Sequence, residues 1–263
     1  VEWGVPNYFG DQRFGCIRHG QGLVVRPMLA GRPGEGLKWL LAAISPFEKK
    51  AKRRLKESLR EAWGDWERCR AIGRGLGCEG PFRHLQRRPG DLFGAFRTLP
   101  RTTRLMHLYA FQSYLWNQAL SLFLLHRLEK ERQVKLSSEL GRLIAWRDLA
   151  GAEELRRASL PLPAGDLELP RGDRRGTLEE RLASALHTTL APERLRLEEL
   201  RLPRATGMAF KAEPRPIAIV PEGVAVGEPT PDPDNPGGFV LELSFALPRG
   251  CYATVVLERL RAW

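Results

Sequence analysis

Residues 105–128 carry the strongest helical pattern in the chain, and this helix restricts what the rest can fold into. Apolar side chains cover more than half of its circumference, so the sequence predicts a helix that is buried on most sides. The longest uninterrupted apolar stretch, residues 120–125, is far shorter than the roughly 18 residues of a membrane span. We therefore expect a core helix and no membrane span. The large apolar positions of this pattern are Leu108, Phe111, Leu115, Trp116, Leu122 and Leu125.

Two polar residues interrupt this apolar pattern. Ser113 and Asn117 are four positions apart, so they share a face of the predicted helix. We expect them to satisfy buried backbone groups or each other, and we assign them no catalytic role.

The rest of the chain mixes short helices, strands and loops, with no internal repeat. Thr177 and Glu180 have the spacing of a capping box, which predicts the start of a helix that ends at residue 190. Large apolar residues alternate through residues 239–247, which predicts a strand with one fully buried face. Further expectations are strands at 23–25 and 217–220, helices at 37–44, 47–66 and 254–260, and an exposed loop at 229–238.

The chain is strongly basic, with 42 Lys and Arg against 31 Asp and Glu and a net charge of +11 at pH 7. Such an excess favours a polyanionic partner, most often nucleic acid, over a merely basic surface. The predicted helix 47–66 gathers cations on one face, which is either a solvated face or a phosphate-binding one. The candidates for RNA phosphate contact are Lys49, Lys52, Arg53 and Lys56.

Residues 4–15 combine three aromatic side chains with three glycines, an amide pair and an arginine. A glycine follows Phe9, so we expect this ring to project from a turn with little beside it. Asn7 and Gln12 can donate and accept hydrogen bonds, and Arg13 offers a planar fork for phosphate. These groups can stack a base, read its edge and hold its phosphate. The segment is therefore a candidate nucleotide site, or else a glycine-rich turn with core aromatics.

Three segments resemble motifs of the TruD family of tRNA pseudouridine synthases. Residues 5–15 resemble the family's signature, and residues 110–118 resemble its QSxLFN-type helix. Residues 247–254 resemble its LPxGSFAT-type turn, with Cys and Tyr in place of Ser and Phe. The three occur in family order and span nearly the whole chain.

The resemblance implies an α+β fold with two domains. Residues 1–30 and 218–263 would form a mixed-sheet pseudouridine-synthase catalytic domain, incomplete at its N-terminus. Residues 31–217 would form a large inserted α/β TRUD domain.

The resemblance also implies the reaction: a uridine in tRNA, of the uridine-13 type, is isomerised to pseudouridine without a cofactor or metal. The family's nucleophile is an aspartate in a GxKDKxAxTxQ-type motif upstream of the signature. This chain contains no Lys-Asp dipeptide, and it starts three residues before Gly4. We therefore expect the nucleophile to lie outside the chain, which alone would be inactive. Asp11 is not at the family's nucleophile position, and we expect it to be a turn residue.

The resemblance places three residues in the substrate pocket: Asn7, Phe9 and Tyr252. Gln12 and Arg13 would contact phosphate or shape the loop. The alternatives are an RNA-binding or chaperone protein without catalysis, half of a split enzyme, and a plain basic scaffold protein.

The four cysteines form no CxxC pair, so the sequence suggests neither a zinc site nor a disulfide framework. A reducing cytoplasm fits them best. The partners expected are tRNA and the missing N-terminal segment, with no membrane.

Overall fold

One long helix, α7 (Arg101–Arg127), forms the centre of the molecule. The structure is a computed structural model, which describes residues 3–17, 20–170 and 176–262. Helix α7 is buried along most of its length, and its exposed residues lie in its first turns, up to Tyr109, and in its last turn, from Leu125. The predicted core helix is therefore confirmed. It begins four residues earlier than predicted, directly after Pro100, because the fixed φ of proline is compatible with a helix start.

Six shorter α-helices precede α7 in the described part of the chain. Consecutive helices pack against each other, and α1 and α6 also pack against α7. Their bounds are α1 (Val25–Leu29), α2 (Pro33–Ala42), α3 (Lys50–Glu61), α4 (Trp66–Gly75), α5 (Glu79–Arg87) and α6 (Leu92–Arg97).

Two predictions in this helical region were wrong. The strand expected at 23–25 is instead the buried lead into α1, because a three-residue apolar run has no period that separates strand from helix. The single helix expected at 47–66 is interrupted between α3 and α4. Asp65 starts α4 there, since its side chain accepts a hydrogen bond from the backbone N–H of Arg68.

The described strands are short and form five two-stranded antiparallel sheets. The pairs are β1–β6, β2–β3, β4–β5, β7–β10 and β8–β9, whose ranges follow. The mixed sheet that we expected is not formed by these residues, because no described strand has partners on both edges. The ranges are β1 (Val5–Pro6), β2 (Gln133–Ser138), β3 (Gly141–Trp146), β4 (Ser159–Pro161), β5 (Pro214–Pro216), β6 (Ala218–Ile219), β7 (Glu222–Val226), β8 (Thr230–Pro231), β9 (Phe239–Val240) and β10 (Leu243–Ala246).

The predicted strand at 239–247 is broken into β9 and β10, and its apolar face is not fully buried. Phe239 is 72% exposed and Leu241 is 49% exposed. Leu243, Phe245 and Leu247 are partly buried, and the last two pack against a small apolar cluster. Alternation shows which side chains share a face, but burial also needs a second layer, and no described element covers residues 239–241. The loop expected at 229–238 is exposed, as predicted, and contains β8.

Two helices after α7 match the sequence closely. Helix α8 (Leu178–Leu190) starts with the predicted capping box between Thr177 and Glu180. It packs along α7. Helix α9 (Ala253–Arg261) follows the 247–254 turn, as expected.

Strand β1 brings the two ends of the described chain together. Val5 pairs with Ile219 of β6, the observed form of the strand predicted at 217–220. Val256 of α9 packs on the same pair. A second, much larger apolar core runs continuously from Tyr8 to Val255. It includes residues from both expected domains, and their boundaries stay a prediction. Among the described helices, none is both long and apolar enough to cross a membrane.

Candidate functional site

The backbone of residues 4–10 is held from two sides, by residues 216–219 and by Asn117 of α7. Gly4 has φ +68°, and a Cβ there would collide with the carbonyl oxygen of Ile219. Asn7 donates its backbone N–H to the carbonyl of Ile217 at 2.8 Å and its amide Nδ2 to that of Pro216 at 3.0 Å. The signature segment therefore continues the β1–β6 pairing and leads directly into Phe9.

Asn117 of α7 holds the peptide of Phe9 from the other side. Its Oδ1 accepts the backbone N–H of Phe9, and its Nδ2 donates to the carbonyl oxygen of Phe9, both at 2.9 Å. Asn117 is almost fully buried, and so is Ser113. The expectation that Asn117 satisfies buried backbone is confirmed. This pair of bonds joins the first and second family-like motifs.

The ring of Phe9 is packed against several groups, and the expectation that it has little beside it was wrong. Only 8% of the residue is exposed. Trp116 and Tyr252 make edge contacts with the ring, at centroid distances of 5.7 and 6.1 Å. The guanidinium carbon of Arg215 lies 3.9 Å from the ring centroid. The turn does not expose the ring because α7 and the segment around Tyr252 pack against it.

Arg215 of β5 is the residue of this site that sequence reasoning missed. Its Nε and Nη2 donate to the carbonyl oxygen of Asn7 at 3.0 and 2.8 Å, and Nη2 also donates to Asn7 Oδ1 at 2.7 Å. Longer bonds of 3.3 Å reach the carbonyl oxygen of Gly250. Burial lowers the pKa of Arg215 to about 10. Arg215 thus connects the signature to the third motif. In the sequence it stands between two prolines, a position that does not indicate any role in a site.

The remaining predicted pocket residues meet at the start of α9. Arg13 donates from Nε to the hydroxyl of Tyr252 at 3.1 Å, which gives this hydroxyl a partner. Thr254 Oγ1 donates to Gln12 Oε1 at 3.0 Å. Gly10 lies among them, and a Cβ there would come within 2.8–3.0 Å of the side chains of Gln12, Thr254 and Tyr252. Glycine is required here because the third motif approaches so closely.

A pocket of about 260 Å³ opens beside this cluster. The residues 8–12 form one wall, the β2–β3 turn forms another, and α9 closes it. Asp11 lies in this wall. Its Oδ1 accepts hydrogen bonds from Ser138 Oγ at 3.0 Å and from the backbone N–H of Glu139 at 3.1 Å. Asp11 therefore anchors the β2–β3 turn.

The four candidate phosphate contacts lie immediately before α3 or in its first half. They differ in the exposure of their side chains and in whether a carboxylate already pairs with them. Lys56 is 13% exposed, and its Nζ lies 2.6 Å from a carboxylate oxygen of Glu48. Lys52 lies 3.4 Å from the same oxygen but is 56% exposed. Arg53 is exposed and donates to the carbonyl of Pro46. Lys49, directly before α3, is exposed as well. The structure does not bring this group into the Phe9 cluster.

The three motifs thus converge on Phe9 in space. The family model that describes tRNA pseudouridine synthase D (TruD) matches residues 1–138 and 166–260. The chain belongs to the TruD family. That membership confirms the resemblance on which the motif assignments depended.

Relatives in other organisms are similar over almost the whole chain. A protein of Aquifex aeolicus named tRNA pseudouridine synthase D is 30% identical over 262 residues, which are 98% of this chain and 62% of the relative. A protein of Methanococcus maripaludis named probable tRNA pseudouridine synthase D 1 is 28% identical, over 97% of this chain and 64% of the relative. The chain therefore spans less than two thirds of these relatives.

A solved structure has the same fold. The crystal structure of the putative tRNA pseudouridine synthase D of Methanosarcina mazei superposes with a TM-score of 0.71. It is 24% identical and aligns with 99% of this chain and 62% of its own. This likeness supports the fold described above.

Proposed function

We propose that this chain is the RNA-binding and base-holding part of a tRNA pseudouridine synthase that acts on a uridine of the uridine-13 type. The observation that carries the proposal is the convergence of all three family motifs on Phe9, beside a pocket of about 260 Å³. Pseudouridine forms when the C1′–N1 bond of uridine breaks, the uracil turns, and a bond forms from C1′ to C5. The base must first leave its stack and enter a pocket.

Phe9 would pack against the uracil when the base has left its stack. Its peptide is fixed by Asn117 and its ring by Arg215 and Trp116, so the ring cannot follow a moving base. A preorganised site of this kind costs little free energy to order when substrate binds. Asn7 and Tyr252 would contact substrate, and Gln12 and Arg13 would shape the loop or contact phosphate.

The nucleophilic aspartate would be supplied by polypeptide outside this chain. The relatives are longer than the matched region, so family members contain sequence that can supply it. Asp11 is less suited to this role because its Oδ1 accepts two hydrogen bonds from the β2–β3 turn, which hold the carboxylate against that turn. A carboxylate that attacks C1′ has to be aimed at the sugar.

The exposed strands β7, β9 and β10 are where such a segment would pack. Phe239 is 72% exposed and Val226 is 61% exposed, and Leu241 lies near them in the same strand region. Large apolar side chains grouped at a surface indicate an interaction site. Each of these strands also has a free edge among the described residues, which an added strand could extend.

The proposal also includes the two expected domains and a reducing cytoplasmic location.

Lys49, Lys52, Arg53 and Lys56 remain the proposed phosphate contacts outside the pocket. Lys49, Lys52 and Arg53 are exposed enough to reach RNA, whereas Lys56 would first have to leave Glu48.

The proposal is tested by assaying tRNA for pseudouridine with this chain alone and with this chain supplied with the aspartate-motif segment. Turnover is expected only in the second case. RNA binding without turnover in both cases would favour the non-catalytic RNA-binding protein instead. Turnover by the chain alone would make Asp11 the candidate nucleophile again and remove the need for a second segment.

A further inference from the structure

A second pocket, of about 320 Å³, has a lining suited to a nucleotide. It lies between the segment after the signature, the second half of α2, and α3. Five residues line it: Gln21, Lys38, Trp39, Ala43 and Arg60. The polar lining is one amide, one ammonium and one guanidinium, and the apolar lining includes an indole. No carboxylate is among the five, so nothing in the lining repels a phosphate.

The two cations are held at the pocket without being neutralised. Arg60 donates from Nε to the carbonyl oxygen of Ala42 at 2.8 Å, which fixes the guanidinium and leaves its positive charge intact. The ammonium of Lys38 lies 5.8 Å from the ring centroid of Trp63. Neither cation forms an ion pair with a carboxylate of the described residues. The nearby lysines of α3 differ, because Lys52 and Lys56 share Glu48.

Trp39 supplies the flat surface. It is half-buried, so the indole is supported on one side by the core and still contributes to the pocket wall. Base–aromatic stacking of this kind tolerates every base, because each base has a π-face.

The pocket lies next to one that reaches the signature. A neighbouring pocket is lined in part by Gly15 and Cys16, which belong to the 3-10 helix Asp11–Ile17, and by Lys56. Ala43 lines both pockets. The Trp39 pocket therefore adjoins a pocket that reaches residues 15 and 16 of the signature.

We infer that the Trp39 pocket binds one nucleotide of the RNA whose uridine enters the Phe9 pocket. The base stacks on Trp39, and Lys38 and Arg60 hold the adjoining phosphates. This site rests on the proposed function for the identity of the ligand, but its lining and position do not depend on catalysis.

The test measures binding of a tRNA transcript and of an eight-residue oligouridylate across a range of salt concentrations. Trp39→Ala is expected to weaken binding about tenfold for both probes, and Trp39→Phe, which keeps a flat face, much less. Lys38→Gln with Arg60→Gln should make the slope of log affinity against log salt shallower by about 1.4 for the single strand. The matched control is Arg156→Gln with Arg157→Gln, two exposed arginines outside the pocket, with the same change of net charge.

The proposed site would be wrong if both the Trp39→Ala and the Lys38/Arg60 variants kept wild-type affinity and the wild-type salt dependence of affinity. That holds even if the completed enzyme, this chain supplied with the aspartate-motif segment, makes pseudouridine. An equal loss in the Arg156/Arg157 control would also overturn the site, because the effect would then be one of net charge. The converse result can be told apart. If RNA binding depends on Trp39, Lys38 and Arg60 but no pseudouridine forms, the nucleotide site is supported and the proposed function is wrong. A thermal melt of each variant identifies loss of fold, and the Lys38/Arg60 variant keeps the test decisive if Trp39→Ala unfolds.

Discussion

The central carbon of the Arg215 guanidinium lies over the ring of Phe9, 3.9 Å from the ring centroid, although the two residues are 206 positions apart in the sequence. The same guanidinium donates to the carbonyl and amide oxygens of Asn7. One side chain therefore fixes both the stacking ring and the amide that we propose to contact substrate. Arginine is suited to this role because its planar fork can stack and donate in several directions at once.

Arg215→Lys is expected to lower turnover by the completed enzyme about tenfold, because lysine keeps the charge but loses the fork that fixes Asn7 and Phe9. Affinity for tRNA should change little, since the charge is retained. Single-turnover pseudouridine formation and filter binding measure the two quantities separately. Full turnover by Arg215→Lys, or a loss of affinity that accounts for the whole effect, would contradict the positioning role.

The phenol of Tyr8 predicts a specific dependence of stability on pH. Tyr8 is fully buried, its hydroxyl donates to the carbonyl oxygen of Ile144 at 2.6 Å, and burial raises its pKa above the usual range. A raised folded-state pKa means that the contribution to stability is complete below about pH 10, the ordinary pKa of tyrosine, and is lost as the pH rises further.

Tyr8→Phe should therefore lower the free energy of unfolding by roughly 1–2 kcal/mol at pH 8, because the carbonyl of Ile144 loses its donor. The difference from wild type should shrink above about pH 10. Urea unfolding at several pH values measures it, with Tyr109→Phe, at a more exposed position of α7, as the control. A difference that stays constant from pH 8 to 11 would show that Tyr8 does not titrate as its burial implies.

The apolar surface of β9 and the residues after it is expected to bind the aspartate-motif segment. Phe239→Ser with Leu241→Ser should change the thermal melt of this chain little, because Phe239 is 72% exposed and Leu241 is 49% exposed. Affinity for the segment should fall at least about tenfold, by loss of buried apolar area. Phe47→Ser, at a phenylalanine that is 82% exposed elsewhere, is the matched control. Equal affinities of the double variant and this control would rule out the proposed interface.

The best predictions from the sequence concern elements whose formation depends on residues close together in the chain. The core position of α7 follows from its apolar circumference, and the start of α8 follows from the capping box of Thr177 and Glu180. The role of Asn117 followed from the need to satisfy buried polar groups. For the two helices, a short stretch of sequence contained the whole physical cause. For Asn117, the sequence indicated that a buried partner was needed, but not that this partner is Phe9, 108 positions away.

What could not be predicted depends on partners distant in the sequence. The alternation through 239–247 is real, but the layer that would bury Phe239 is not among the described residues. Arg215 carries no pattern of its own, and its role exists only because β5 passes beside Asn7 and Phe9. The burial of Phe9 likewise comes from α7 and the third motif, which its neighbouring glycine could not reveal.

The most direct test of the central claim is single-turnover pseudouridine formation by the completed enzyme carrying Phe9, Phe9→Leu or Phe9→Tyr. Leucine keeps most of the buried volume but loses the flat face, so its thermal melt should stay close to wild type. Its rate should fall by roughly 10- to 100-fold, in line with the ~1–3 kcal/mol that base–aromatic stacking contributes. Phe9→Tyr keeps the face and should lose much less. Wild-type turnover by Phe9→Leu would show that Phe9 is only a core residue, and the site assigned here would be wrong.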